Sequence, residues 1–176
     1  MSLYLSRTDE ELRRDFFLLR SREDIARLLD TELSKLTYYL YATPESQHYK
    51  IFTIRKRLGG VREISAPITP LKIIQRKLNQ VLQSVYEPNM AVHGYVKGKE
   101  RNILTNAKSH VDKRLLLNID LKDFFPTINF GRVRGLFLHL PYNLNIEVSE
   151  TLANICCYNK ALPQGAPTSP VVSNMI

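Results

Sequence analysis

Leu115-Leu116-Leu117-Asn118-Ile119-Asp120-Leu121-Lys122-Asp123-Phe124-Phe125-Pro126 reads as a buried apolar strand that delivers a carboxylate at its end and then meets two aromatics and a proline. An acidic side chain closing a hydrophobic strand is costly to bury unless a cation or hydrogen-bond donors compensate it, which points to a metal site at Asp120. The competing reading is a strand-end Asp that caps a turn or the following helix. A second stretch, Ala161-Leu162-Pro163-Gln164-Gly165-Ala166-Pro167-Thr168-Ser169-Pro170, reads as a rigid turn. Its glycine permits close backbone approach, and Pro170 can open a helix.

Taken together, Asn118 to Pro126 and Leu162 to Pro170 resemble the third and fourth conserved blocks of bacterial reverse transcriptases, especially those of retrons and group II introns. The likeness extends back through His93-Gly94-Tyr95, Asn102-Ile103-Leu104-Thr105-Asn106-Ala107 and His110. It also takes in Lys56-Arg57-Leu58-Gly59-Gly60-Val61-Arg62, which is similar to the family's fingers hairpin, so it spans most of residues 49 to 176.

That resemblance implies an α+β fold: right-hand polymerase fingers and an incomplete palm behind a helical N-terminal segment. The corresponding divisions are a helical segment over 1–45, fingers over 46–113, the first acidic palm strand over 114–127, a helical insertion over 128–163, and the start of the next palm helix over 164–176. It further implies that Asp120 is the catalytic carboxylate bridging Mg2+ (or Mn2+), with the backbone carbonyl of Leu121 as a second metal ligand. Lys56 and Arg62 would meet the triphosphate of an incoming dNTP. Phe125 would be the steric gate that blocks a ribose 2′-hydroxyl, and Gln164 and Gly165 would contact the nucleotide's sugar and base-pair region; Phe124, its strand neighbour, reads as core on the opposite strand face. An RNA template and a DNA primer would be the partners of such a nucleotidyltransferase. In that chemistry two magnesium ions roughly 3.5–4 Å apart stabilise the attacking and leaving oxygens.

Bulk properties agree. The chain has 176 residues, 25 Lys and Arg against 17 Asp and Glu, and a formal net charge of +8. That excess favours polyanionic partners through counterion release. No long apolar run, signal-like segment or basic amphipathic helix is present, so no membrane partner and a cytoplasmic location are expected. The only cysteines, Cys156 and Cys157, are adjacent. Neighbours in a helix point to different faces, so these read as small, partly buried helix residues and not as a bridge.

Along the chain, Leu12, Phe16 and Leu19 predict an amphipathic helix over 9–19. Ser21 with Asp24 predicts a capping box, and Asp30 or Thr31 a helix restart. Tyr49 to Arg57 and Val61 to Ala66 read as two strands joined at Leu58-Gly59-Gly60. The basic residues crowding that turn fit either a solvated tip protected from edge pairing or a phosphate site. Register leaves Arg55 open as an alternative to Lys56. Pro70 opens a helix with an apolar stripe from Leu71 to Val85, its Lys72, Arg76 and Lys77 lying off that stripe. A further helix is predicted over 102–111, and Asn129 and Asn145 are predicted to cap helices reaching His139 and Cys157.

One departure from the resemblance matters. The family's palm needs a further carboxylate pair in a short hairpin, and this sequence contains no adjacent Asp pair. One carboxylate cannot hold two magnesium ions, so the 176 residues alone are expected not to polymerise DNA, as a truncated form or fragment of a longer enzyme would not. Val171, Val172, Met175 and Ile176 would then be left without partners, an exposed apolar surface that invites self-association. The alternatives are a non-catalytic basic RNA/DNA-binding module and a purely structural interaction domain.

Overall fold

The computed structural model describes residues 2–56, 59–98 and 100–176; Arg57 and Leu58 of the expected turn, Lys99 and Met1 lie outside the described residues. Among the described residues helices dominate, with one two-stranded sheet. The helical start of the chain is built by caps. Thr8 and Glu11 form a reciprocal capping box before α1 (Asp9–Phe17), and Ser21 and Asp24 form another before α2 (Arg22–Leu28), each satisfying backbone donors at a helix start. The restart expected at Asp30 or Thr31 comes later: Asp30 takes a left-handed φ of 43°, and Glu32 stands before α3 (Leu33–Thr37). A π-helical turn, Tyr38–Ala42, and a 3-10 turn, Glu45–His48, lead into β1.

Strands β1 (Tyr49–Arg55) and β2 (Val61–Pro67) pair antiparallel, with Tyr49 opposite Pro67 and Arg55 opposite Val61. The hairpin closes where the Lys56 N–H donates to the Gly60 carbonyl at 3.0 Å, and Gly59 and Gly60 supply φ of 94° and 81°. Helix α4 (Thr69–Val85) follows at once, with Pro70 in its first turn. Then come α5 (Ile103–Lys108), the single turn α6 (Phe124–Thr127), α7 (Phe130–Leu138), α8 (Ile146–Cys156) and α9 (Ser169–Met175). Asn102, Asn129 and Asn145 cap α5, α7 and α8 through their side-chain oxygens.

One continuous core joins α1, α2, α4, α7, α8 and α9 through Leu12, Phe16, Ile25, Leu78, Phe137, Leu152 and Val171. Phe16 meets Tyr142 edge-on at 5.8 Å, and a smaller cluster of Tyr49, Leu71 and Tyr158 seats the base of the hairpin, the two tyrosines stacked at 4.2 Å. Gln75 ties the clusters together by donating to the Tyr49 hydroxyl at 2.9 Å and the Ile155 carbonyl at 2.8 Å. Cys156 and Cys157 are free and buried, and burial pushes the Cys157 thiol up to about 12.

Four expectations are corrected. The stretch Leu115 to Leu121 is neither a strand nor buried: it has no regular secondary structure, with Leu115 at 88% and Leu117 at 82% exposure. An extended segment becomes a strand only when a neighbour takes its N–H and C=O groups, and among the described residues none pairs with it. Strand alternation therefore does not separate Phe124 from Phe125, which share a helical turn with ring centroids 6.0 Å apart. At the C-terminal end, Val171 and Val172 are fully buried and Met175 packs against the core, leaving only Ile176 exposed. Finally, Lys77 is not on an outer face but 1% exposed, donating from Nζ to the Leu29 and Asp30 carbonyls at 2.9 and 3.1 Å. It caps the end of α2, and burial pulls its ammonium below the usual lysine range.

Candidate functional site

A cleft of about 1240 Å3 opens between the hairpin, α4, the segment around Asp120 and the loop before α9. The loop is the strap that holds it together. Its first anchor is a tight turn in which Tyr158 and Ala161 exchange backbone hydrogen bonds, and the Leu162 N–H then donates to the Ile128 carbonyl at 3.0 Å. Its second anchor is on the hairpin: the Ser65 N–H donates to the Gln164 carbonyl at 2.8 Å. Its third is α9, where the buried Ser169 hydroxyl donates to the Pro163 carbonyl at 2.7 Å.

Gly165 makes the second anchor sterically feasible. With φ of +125°, a Cβ there would lie 2.9 Å from Ile64 Cγ2 and 3.0 Å from the Ser65 carbonyl oxygen, so only a residue without a side chain lets the loop lie this close to β2.

Each sequence-predicted residue can now be located. Lys56, Arg62, Asp120, Leu121, Phe125, Gln164 and Gly165 all line this one cleft. The hairpin register explains the first two. Arg62 stands opposite Ile54, and Lys56 lies two residues beyond Ile54, so the two basic residues share a face. Arg55, opposite Val61, is not among the lining residues. Asp120 is exposed to the cleft and not walled off. Phe125 is half-buried: its turn, α6, is entered through Asp123 at a left-handed φ of 51° and closed by the Ile128 N–H donating to the Phe125 carbonyl. The Gln164 side-chain oxygen is buried without a hydrogen-bond partner among the described residues. A buried acceptor left unmatched is costly and favours a donor that fills it.

The charges of the cleft differ from those of the rest of the surface. Among the described residues, ion pairs such as Arg7–Asp15, Arg22–Glu147 and Arg134–Glu150 lie outside it. Lys56, Arg62, Lys72, Arg76 and Lys122 line the cleft, and no described carboxylate lies within ion-pair distance of any of them. A concave surface with several unpaired cations is suited to a phosphate-bearing ligand. Lys72 and Arg76 were the residues that sequence reasoning passed over. Their i, i+4 spacing on α4 puts them on one side of the helix, but only the packing of α4 shows which way that side faces.

The acidic side of the cleft is thinner. Glu63, Asp120 and Asp123 line it, yet among the described residues no group of three His, Cys, Asp or Glu side chains gathers that could hold a metal ion. One aspartate and a backbone carbonyl fall short of the six or more oxygens that a hard dication takes, so these residues present part of a donor set and not a complete one.

Known proteins were compared with this chain. No family model matches it. Curated relatives do: the retron Mx65 reverse transcriptase of Myxococcus xanthus is 37% identical over 89% of the chain, and the retron Ec86 reverse transcriptase of Escherichia coli is 37% identical over 83%. The chain belongs with the retron reverse transcriptases. A third such relative, the retron Mx162 reverse transcriptase of Myxococcus xanthus, is 36% identical over 90% of the chain. The chain spans 40%, 45% and 36% of the length of these three retron proteins. Among the described residues, no helix is long and apolar enough to cross a membrane.

Proposed function

We propose that this chain forms the nucleotide-binding fingers and the first acidic element of the palm in an RNA-directed DNA polymerase. The observation that carries the reading is the convergence of Lys56, Arg62, Asp120, Phe125 and the Gln164–Gly165 turn on one cleft whose cations have no carboxylate partners among the described residues. Residues from three separate parts of the sequence meet there, and a purely structural role would not need them to.

In this reading Lys56 and Arg62 neutralise the triphosphate of an incoming dNTP, with Arg62 offering a planar fork to phosphate oxygens and Lys56 a point charge. Phe125 sets the floor against which the sugar rests, and its ring leaves no room for a 2′-hydroxyl. The Gln164 amide, able to donate and accept at once, meets the sugar edge, and the Gly165 backbone admits close approach. Asp120 and the Leu121 carbonyl contribute oxygen ligands toward Mg2+ or Mn2+, which would supply Lewis-acid activation of the phosphate. Because its carboxylates form no metal-holding group of three among the described residues, the chain alone binds the nucleotide without extending a primer. RNA template and DNA product follow the basic side of the cleft.

Titration with a fluorescent dNTP tests the nucleotide site. Lys56→Ala and Arg62→Ala are each expected to weaken binding about tenfold or more, at about 1.5–3 kcal/mol per charge-assisted hydrogen bond. Unchanged affinity in both would reject the fingers assignment. In the product of the complete gene, Asp120→Asn is expected to abolish primer extension while leaving the thermal midpoint unchanged. Retained extension would reject the metal role. Polynucleotide binding with no nucleotide site would favour the non-catalytic binding module instead.

A further inference from the structure

The loop between α4 and α5 carries one residue that its packing does not explain. Tyr95 is 63% exposed and lines the cleft, and its ring is in none of the aromatic contacts among the described residues. Its φ of 58° is left-handed, a conformation that costs a bulky side chain free energy and persists only where surrounding structure enforces it.

The enforcement is visible. On one side of the loop the Asn174 side-chain amide of α9 donates to the Gly94 carbonyl at 2.8 Å, and Gln83 of α4 donates to the Tyr95 carbonyl at 3.4 Å. On the other, the Arg101 guanidinium donates to the Val92 carbonyl at 2.7 Å and also to the carbonyls of Asn89 and Pro88. A strained backbone fastened on both sides, presenting an aromatic ring to solvent inside a basic cleft, has already lost the freedom that a ligand would otherwise have to remove.

We infer that Tyr95 is a stacking platform for an unpaired nucleobase of a polynucleotide strand whose phosphates are met by Lys72 and Arg76. This inference rests on the proposed function, since it names the residue by which that cleft grips a strand. Stacking on an aromatic face is available to every base, so the contact is indifferent to sequence. The two cations lie on α4, the same helix that holds the Tyr95 carbonyl, so platform and phosphate contacts move as one body.

The test compares two fluorescein-labelled 12-nucleotide ligands, an oligo(A) RNA and an abasic ribose-phosphate strand of the same length and charge, with the 176-residue chain. Wild type is expected to prefer oligo(A). Tyr95→Ala should lose about 5- to 150-fold of oligo(A) affinity, the range for one stacked base, while leaving abasic binding unchanged. Tyr95→Phe should behave as wild type, which separates loss of the ring from loss of the fold. Lys72→Ala and Arg76→Ala should each lower the salt dependence of binding by about one phosphate's worth and keep the preference for bases. An undiminished base preference in Tyr95→Ala would overturn this inference and leave the nucleotide site intact. Failure of wild type to bind either strand would overturn the proposed function as well. If ATP bound by wild type lost the same factor in Tyr95→Ala as the oligonucleotide does, the ring would serve a free nucleotide, and the strand assignment would fall.

Discussion

Replacing Gly165 by alanine probes the joint on which the cleft depends. The new Cβ would press on Ile64 Cγ2 at 2.9 Å and on the Ser65 carbonyl oxygen at 3.0 Å, from backbone with φ of +125°. Neither neighbour is free to retreat, since Ile64 and Ser65 are held in register by Phe52 and Ile51 across the hairpin. A left-handed backbone costs an L-residue about 1–2 kcal/mol, and overpacking a tight contact about 1–3 kcal/mol. The loop can escape by lifting from β2, but that forfeits the 2.8 Å bond from the Ser65 N–H to the Gln164 carbonyl, worth about 0.5–1.5 kcal/mol. Because relief of the contact costs the hydrogen bond instead, backbone strain plus the lost bond come to about 1.5–3.5 kcal/mol. For a domain of this size that corresponds to a fall in Tm of about 3–14 °C. Thermal and urea unfolding followed by circular dichroism measure it directly. Gly135→Ala is the matched control: it lies inside α7 with its nearest neighbour at 4.0 Å, so alanine there should stabilise by about 0.4–1 kcal/mol. If Gly165→Ala unfolds within about 0.5 kcal/mol of wild type, a surface-substitution value, the loop does not rest on β2 and the geometry argued for the cleft is wrong.

Other expectations follow from the same packing. Lys77→Met keeps most of the buried stem but leaves the Leu29 and Asp30 carbonyls without their donor; a loss of about 2–4 kcal/mol in urea is expected, and a neutral result would remove Lys77 as the cap of α2. Hydrogen bonding from the Arg20 backbone N–H, foremost, holds the Asp24 carboxyl below its ordinary 3.8, so its contribution is complete above that value and fades as pH falls through the lowered folded-state one. Asp24→Asn should therefore destabilise the chain at pH 7 and have little effect near pH 2; equal losses at both would contradict the capping role. In the product of the complete gene, Phe125→Val should raise ribonucleotide incorporation, measured as the ratio of rNTP to dNTP extension, and an unchanged ratio would strip Phe125 of the gate role.

Much of this protein was legible in its residues one segment at a time. Ser21 with Asp24, Pro70, Asn129 and Asn145 are local signals, because a cap or a proline acts on backbone groups within one turn of itself. The hairpin was legible for the same reason, two strand-like runs on either side of Gly59-Gly60. The likeness to retron reverse transcriptases was also a property of short contiguous stretches, and the relatives bear it out. What the chain order could not convey was which surfaces face one another. Lys72, Arg76 and Lys77 are near neighbours on α4, yet two line the cleft and the third is buried under α2, a division made by the helices that pack around α4. The Leu115–Leu121 stretch shows the opposite limit. Its composition says strand, but a strand exists only when a second one accepts its hydrogen bonds, and that partner is a tertiary fact. The meeting of Asp120 with Gln164 in one cleft is of the same kind: the loop is tied to the segment that follows Asp120 where the Leu162 N–H reaches the Ile128 carbonyl, and to the hairpin where the Ser65 N–H reaches the Gln164 carbonyl across a gap that only a glycine leaves open.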